Sequence, residues 1–339
     1  MTSVKEFRVL EAAGPDRLGR GEFVFTDDYS VFDWGKMPDA IPNKGASLCA
    51  MGAANFERLE AAGIPTHYRG VVVNGSVVDL EQAGQPPREM AIDLTQVPDL
   101  PHEGRDYDYD AFHEAAGENY LIPLEIVFRN RVPVGSSLRS RVDPSAFDLD
   151  AETWPDEPVD LPEPVVEFST KFEESDRYLD HEEAQAIAGR ADVDDLEAVA
   201  REVNRLVTDR AAEVGMNHQD GKIECLYFRG EIRVADVVGT FDENRFAVDG
   251  QQISKEVLRQ YYKRTQPEWV AAVEEAKERA KAEDVADWRT LCDQEPAPLP
   301  AHVVDAVRDL YAAGANAYVG RDIFDAPPLR EAVDAVRAL

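Results

Sequence analysis

The chain has 339 residues, 44% hydrophobic and 9% aromatic, which suffices for a substantial core and excludes a disordered chain. Its 67 acidic residues outnumber 36 basic ones, a formal net charge of −31 spread along the whole sequence, so its field repels nucleic acid and anionic membranes. Such a surface suits a high-salt medium, where screening is short-ranged; the alternative is a protein that is merely very soluble at low ionic strength.

From the N-terminus, Glu22 to Thr26 reads as a strand, followed after Asp27-Asp28 by a second short stretch, Tyr29 to Asp33. Ala46 to Ala62 has helical spacing in Leu48, Met51, Asn55 and Leu59, with Gly63 at the stop and Pro65 preventing continuation. Val71 to Leu80 reads as a hairpin about Asn74-Gly75. Pro98 to Gly117 is acidic, tyrosine-rich and weakly patterned, as expected of a surface insertion. Tyr120 to Arg131 is an apolar strand ending in cations, and Asp148 to Pro164 reads as an acidic, proline-rich loop. Val193 to Val214 is a helix with Leu196, Val199, Val203 and Leu206 in one stripe. Glu224 to Val238 forms a second hairpin, and from Ser254 onward helices are expected over 255–263, 268–292, 302–313 and 329–339.

Cys49, Cys225 and Cys292 are odd in number and far apart, which argues for a reducing compartment. The first residues lack the apolar run of a signal peptide, and no stretch approaches the ~18 apolar residues that span a bilayer. A soluble, cytoplasmic protein is expected. Zinc spacings, Walker loops, GxGxxG and GxSxG are all absent from the sequence.

Four constellations carry chemistry. The strand from Pro123 runs into Arg129 and Arg131 and then Gly135-Ser136-Ser137, a set of guanidinium forks, hydroxyls and backbone donors suited to phosphate. An ordinary strand ending in solvated arginines is the alternative. In Asp220-Gly221-Lys222-Ile223-Glu224, the three charged residues share one strand face. A three-residue loop at Arg229-Gly230-Glu231 would pair Glu224 with Asp236 on the same face; a two-residue turn would put them on opposite faces. Facing carboxylates suit Mg2+ on the phosphates of ATP, the alternative being a solvated acidic face. Ser169-Thr170-Lys171 sets two hydroxyls beside a lysine, and Asp242-Glu243-Asn244-Arg245 is a polar turn with one arginine. Each of these two is unspecific alone.

Taken in order, these elements resemble the SAICAR synthase family. Pro123 to Arg129 with Gly135-Ser136 is similar to its strand-arginine-glycine-serine signature, and Leu161-Pro162-Glu163-Pro164 with Ser169-Thr170-Lys171 to its LPEP…STK segment. Asp220 to Glu224 matches the D-x-K-x-E strand, with Asp236 and the Asp242 to Arg245 turn after it. Thr26 to Asp33 and Pro42-Asn43-Lys44-Gly45 resemble a further N-terminal region.

The resemblance implies an α+β fold of two lobes related to ATP-grasp and kinase-like folds, with ATP between them. The units would be 1–119, a small β-rich ATP-binding lobe; 120–262, a larger substrate- and metal-binding lobe; and 263–339, a helical extension. It implies ligation of L-aspartate to the carboxylate of the ribotide CAIR, with ATP and Mg2+, through an acyl phosphate. Glu224 and Asp236 would hold Mg2+ on ATP, Arg129, Ser136 and Arg245 the ribotide phosphate, and Ser169 and Thr170 would lie against substrate. Lys171 and Lys222 would contact charged ligand groups, and Asp220 would orient the ribotide or its carboxylate. The family's N-terminal glycine-lysine turn is replaced here by Val4-Lys5-Glu6-Phe7, so Lys5, with Lys44, is the candidate cation for ATP. Another ATP-dependent ligase, a small-molecule kinase and a non-catalytic nucleotide-binding module are the competing readings. The extension is a candidate lobe brace or subunit interface, which leaves a homo-oligomer open.

Overall fold

A computed structural model describes residues 5–147, 149, 151–283, 285 and 287–339. The chain begins with β1 (Lys5–Glu11) and β2 (Gly19–Phe25) and continues to helix α1 (Lys44–Ala61). Between them Tyr29 to Asp33 is not a strand. Phe32 and Asp33 take φ of 55° and 59°, which no ladder continues, while Tyr29 and Val31 are buried as single anchors. α1 ends with Gly63 N–H bonded to Glu60 O and Ile64 N–H to Leu59 O, the pair of bonds that a glycine stop makes available.

β3 (Tyr68–Val73), β4 (Ser76–Val78) and β5 (Glu89–Leu94) complete an antiparallel sheet of order β1-β2-β5-β3-β4. Its β3–β4 hairpin turns on Asn74 and Gly75, at φ 51° and 77°, the two left-handed positions that this dipeptide favours. The weakly patterned stretch that follows is more than a surface insertion. It forms a two-strand ribbon, β6 (His102–Glu103) and β7 (Asp106–Tyr107), and helix α2 (Tyr109–Ala116), which buries Phe112 completely. Two core residues in eight are too few to register as a period.

The expected strand from Tyr120 is two: β8 (Asn119–Leu121) and β9 (Leu124–Val132). After the single turn α3 (Leu138–Arg141), the expected loop is in large part strand, since β10 (Val159–Thr170) pairs with β9. Its register shifts between Asp160 and Val165, so Pro162 and Pro164 fall where the ladder is interrupted. Asp148 and Asp150 of that loop lie outside the described residues. β11 (Tyr178–Leu179), α4 (His181–Ala188) and α5 (Val193–Glu213) follow, then β12 (Asn217–Phe228), β13 (Glu231–Ala235), β14 (Asn244–Val248) and β15 (Gln251–Gln252). The second sheet runs β11-β10-β9-β12-β14-β15, with β13 and β8 pairing β12. α5 packs on it through Leu196, Ala200, Val203 and Val207.

α6 (Glu256–Thr265), α7 (Pro267–Glu283), α8 (Ala301–Val319) and α9 (Leu329–Arg337) complete the chain. The long helix expected to Cys292 stops at Glu283; Trp288–Leu291 is a short 3-10 turn, and Asp284 and Ala286 lie outside the described residues. Trp269 meets Phe32 and Trp34, and Trp288 meets Trp34, so the extension braces the irregular segment after β2. α8 packs along α1, where Tyr318 Oη donates to Asn55 Oδ1 at 2.8 Å. Parallel bridges at Thr66–Val234 and Gln96–Tyr120 join the two sheets, and a slot opens between them. No helix among the described residues is long and apolar enough to cross a membrane.

Candidate active site

β12 is the element on which the site is built. Asp220 pairs with Arg129 of β9 on one side and Arg245 of β14 on the other; from Glu224 onward the partner is β13. Strand alternation puts Asp220, Lys222 and Glu224 on one face, the first two over one cavity and the third over another.

The first cavity, about 410 Å³, is walled by β9, the Asp242 to Arg245 turn and the start of α6. Arg245 Nη1 donates to Asp220 Oδ2 at 2.9 Å, and Arg129 Nη1 approaches the same oxygen at 3.5 Å while its Nε donates to Glu167 at 2.7 Å. Burial raises the Asp220 carboxyl above the usual carboxylate range, against the pull of both arginines. Lys222 donates to Glu125 and has Glu243 at 3.6 Å; burial disfavours its ammonium, but these carboxylates hold its pKa above the usual lysine value. Gly221 permits the tight floor: a Cβ there would come within 1.9 Å of Asn244 Oδ1, which lies 2.9 Å from His218 Nε2.

The second cavity, about 220 Å³, is the slot between the sheets. Phe7, Phe23, Leu94, Val97, Leu121 and Leu226 give it an apolar interior, and Lys171, Glu224 and Asp236 form its polar end. Lys171 donates to Glu224 and Lys5 to Asp236. Burial and the Asp236 charge push the Glu224 carboxyl up to about 7. Asp236 stays below the usual range because Lys5 and Lys171 outweigh its burial. Burial lowers His67 to about 4, so its ring, beside the Asp236 carbonyl, is neutral at pH 7.

The hairpin carrying these carboxylates has the shorter of the two expected turns. Arg229 and Gly230, at φ 50° and 88°, make a two-residue loop that sets Phe228 opposite Glu231 and Glu224 opposite Ala235. Regular alternation would then send Asp236 to the far face. Asp236 instead follows the end of β13 at φ 59°, and that left-handed residue turns its carboxylate back toward Glu224. Among the described residues no group of three or more His, Cys, Asp or Glu side chains converges on a metal position. Glu224 is buried and Asp236 half-buried, and two carboxylates that repel each other across the end of a cavity fit Mg2+, a cation that needs only one or two of them.

Residues 15–276 match the family model for SAICAR synthetase. The chain belongs to the SAICAR synthetase family. A protein of Archaeoglobus fulgidus, provisionally named a phosphoribosylaminoimidazole-succinocarboxamide synthase, is 40% identical over 345 residues, 99% of each chain. The SAICAR-synthase of Saccharomyces cerevisiae complexed with SAICAR superposes with a TM-score of 0.61 at 20% identity, over 94% of this chain and 93% of that one. A SAICAR synthetase in complex with ADP gives a TM-score of 0.54 at 22% identity, over 79% of this chain and 97% of that one. At these identities the two structures establish a shared mixed α/β fold.

Within this SAICAR synthetase fold, Arg129, Asp220, Lys222 and Arg245 meet at the first cavity, and Lys171, Glu224 and Asp236, with Lys5 beside them, at the second. Lys44, expected as a cofactor contact, is 0% exposed and donates to Asp242 at 2.6 Å, lining neither cavity. Ser136 is buried with its Oγ accepting from Leu138 N–H, and its neighbour Ser137 lines the first cavity instead. Ser169 and Thr170 are buried within β10, Thr170 Oγ1 accepting from Arg177 N–H, and line neither cavity. Sequence reasoning missed Glu125, Asp176, Tyr178, Ser254, Lys255 and Arg259. Only the last two carried a signal, two cations four residues apart at a helix start.

Proposed function

We propose that this chain joins the carboxylate of CAIR to the amine of L-aspartate at the expense of ATP, giving SAICAR, ADP and phosphate in purine biosynthesis. The observation that carries this reading is the single face of β12, which runs from a highly charged cavity at Asp220 and Lys222, where Arg129 and Arg245 converge, into an apolar slot at Glu224. ATP fits the slot, its base among Phe7, Phe23, Leu94 and Leu226 and its phosphates at Lys171 and Lys5. CAIR fits the cavity, its phosphate toward Arg129 and Arg245 and its carboxylate toward Lys222. The two sheets then act as lobes about the slot, as in ATP-grasp and kinase-like folds, divided near 119 and 262 with the extension as a brace.

In this arrangement the protein contributes position and charge rather than a nucleophile. Lys171 and Lys5, which neutralise Glu224 and Asp236 in the free protein, transfer their hydrogen bonds to phosphate oxygens when ATP enters. Glu224 and Asp236 would hold Mg2+, which when bound would supply charge neutralisation for phosphoryl transfer. Lys222 holds the CAIR carboxylate against the slot, and the apolar walls limit water at the acyl phosphate.

The test is ADP release in molar salt with Mg-ATP and CAIR, with and without L-aspartate, following product absorbance in parallel. Aspartate-dependent release with SAICAR appearing is expected. Bound ATP without turnover at any salt concentration, or ADP release indifferent to the amine, would move the reading to another ligase or a kinase on this scaffold. Family membership and the complete carboxylate-lysine set at the slot disfavour those alternatives and a non-catalytic module alike.

A further inference from the structure

Glu224 stands inside β12, where the ladder to β13 fixes its backbone, but β13 ends at Ala235, one residue short of Asp236. The Asp236 carboxylate turns toward Glu224 only while its backbone keeps the left-handed φ of 59°, a conformation that a residue with a Cβ holds when its surroundings impose it. Those surroundings come from the first sheet and from α1. Just before β3, His67 N–H donates to Val234 O of β13 at 3.0 Å, and His67 O accepts from Asp93 N–H of β5 at 2.7 Å. His67 is 4% exposed, its ring packed between Phe23 of β2 and Phe56 of α1 with centroids 5.8 and 5.4 Å away. Nε2 of that ring lies 3.1 Å from the Asp236 carbonyl oxygen. A carbonyl only accepts, so Nε2 carries the proton and donates. The direction of that carbonyl is set by the ψ of Asp236, and the bond therefore holds the backbone angle that follows the left-handed φ. Downstream, Asn55 of α1 donates through Nδ2 to Val238 O at 3.0 Å and Gly239 O at 3.2 Å, while Tyr318 of α8 donates to its Oδ1.

We propose that His67 is a positioning residue for metal binding: by holding the Asp236 carbonyl it keeps the Asp236 carboxylate beside Glu224, and Asn55 anchors the segment that follows. This rests on the reading above in which Glu224 and Asp236 hold Mg2+ on ATP. It gives the N-terminal sheet a part in the metal site that its strands do not supply through any ligand of their own. His67 also lines the slot, so direct contact with the nucleotide is the competing role. The metal separates the two. A ring that touches nucleotide matters with or without metal, whereas a ring that orients a metal ligand matters only when metal is bound. Removing an outer hydrogen-bond partner of a metal ligand typically weakens metal affinity about 10- to 100-fold.

The test is metal binding by the whole chain in molar salt, with Mn2+ in place of Mg2+ so that electron paramagnetic resonance separates bound from free ion. His67→Phe and His67→Met keep an apolar side chain between Phe23 and Phe56 and remove the donor; His67→Gln returns an amide N–H near the place of Nε2. With ADP present, Mn2+ affinity is expected to fall about 10- to 100-fold in the two apolar variants and to stay within about threefold of wild type in His67→Gln. ADP affinity without metal should stay within about threefold in all three, which also reports that they are folded. Wild-type Mn2+ affinity in both apolar variants overturns the role. So does an ADP affinity that falls equally with and without metal, or a His67→Gln that binds Mn2+ no better than the apolar variants. Asp236→Asn tests the reading beneath: if it binds Mn2+ with ADP as tightly as wild type, the metal assignment fails and the positioning role fails with it.

Discussion

Replacing Lys44 by Met separates a buried structural lysine from a ligand contact. The ammonium is fully buried and its only counter-charge within ion-pair distance among the described residues is Asp242, itself 3% exposed. Burial lowers the Lys44 pKa even with Asp242 opposing it, so the pair compensates its own desolvation incompletely. Removing one partner of such a pair costs about 3–5 kcal/mol, because the other is left buried and uncompensated. Asp242 keeps the Tyr311 hydroxyl at 2.9 Å, which places the expectation toward the lower end. With an unfolding entropy of roughly 2.1 cal/mol/K per residue, about 0.7 kcal/mol/K for 339 residues, the melting temperature should fall by about 4–7 °C. Lys44→Met/Asp242→Asn should recover part of that loss. Thermal unfolding followed by circular dichroism in molar salt measures it, with the KM for ATP determined below the transition. An unchanged melting temperature together with a raised KM for ATP would refute the burial argument and restore Lys44 as a cofactor ligand.

Three further outcomes follow from the site. Gly221→Ala should raise the KM for CAIR by about tenfold or more while leaving ATP binding intact, since its Cβ displaces Asn244 from the cavity floor; equal KM values would mean that the floor is not a substrate surface. With the Glu224 carboxyl at about 7, the free protein at pH 7 is near half-protonated there, and Mg2+ requires the ionised form. Binding of Mg-ATP at pH 7 should therefore release about half a proton, read by calorimetry in buffers of different ionisation enthalpy, falling toward zero above pH 8; no release at pH 7 would remove Glu224 from the metal assignment. The charge of −31 predicts a melting temperature that rises between about 0.1 and about 2 M KCl, as self-repulsion is screened, and a fall over that range would count against salt adaptation.

What the sequence determined by itself was whatever depends on a few neighbouring backbone angles or on one side-chain period. Asn74-Gly75 dictates a left-handed two-residue turn wherever it stands, the α5 stripe is a matter of 3.6-residue spacing, and Asp220, Lys222 and Glu224 share a face in any extended strand. The order of those motifs was also enough to place the chain among SAICAR synthetases. Only the tertiary structure decided the rest. The convergence of Asp236 on Glu224 hangs on one left-handed residue after β13, which no periodicity encodes. Lys44 was a candidate cation for ATP because Pro42-Asn43-Lys44-Gly45 resembles a family segment; its burial beside Asp242 and Tyr311, 198 and 267 positions away, comes from a chain whose helices fold back over α1. Which charges meet is a matter of the same kind: Lys222 finds Glu125, 97 positions away, because Coulomb energy follows distance through space rather than along the chain.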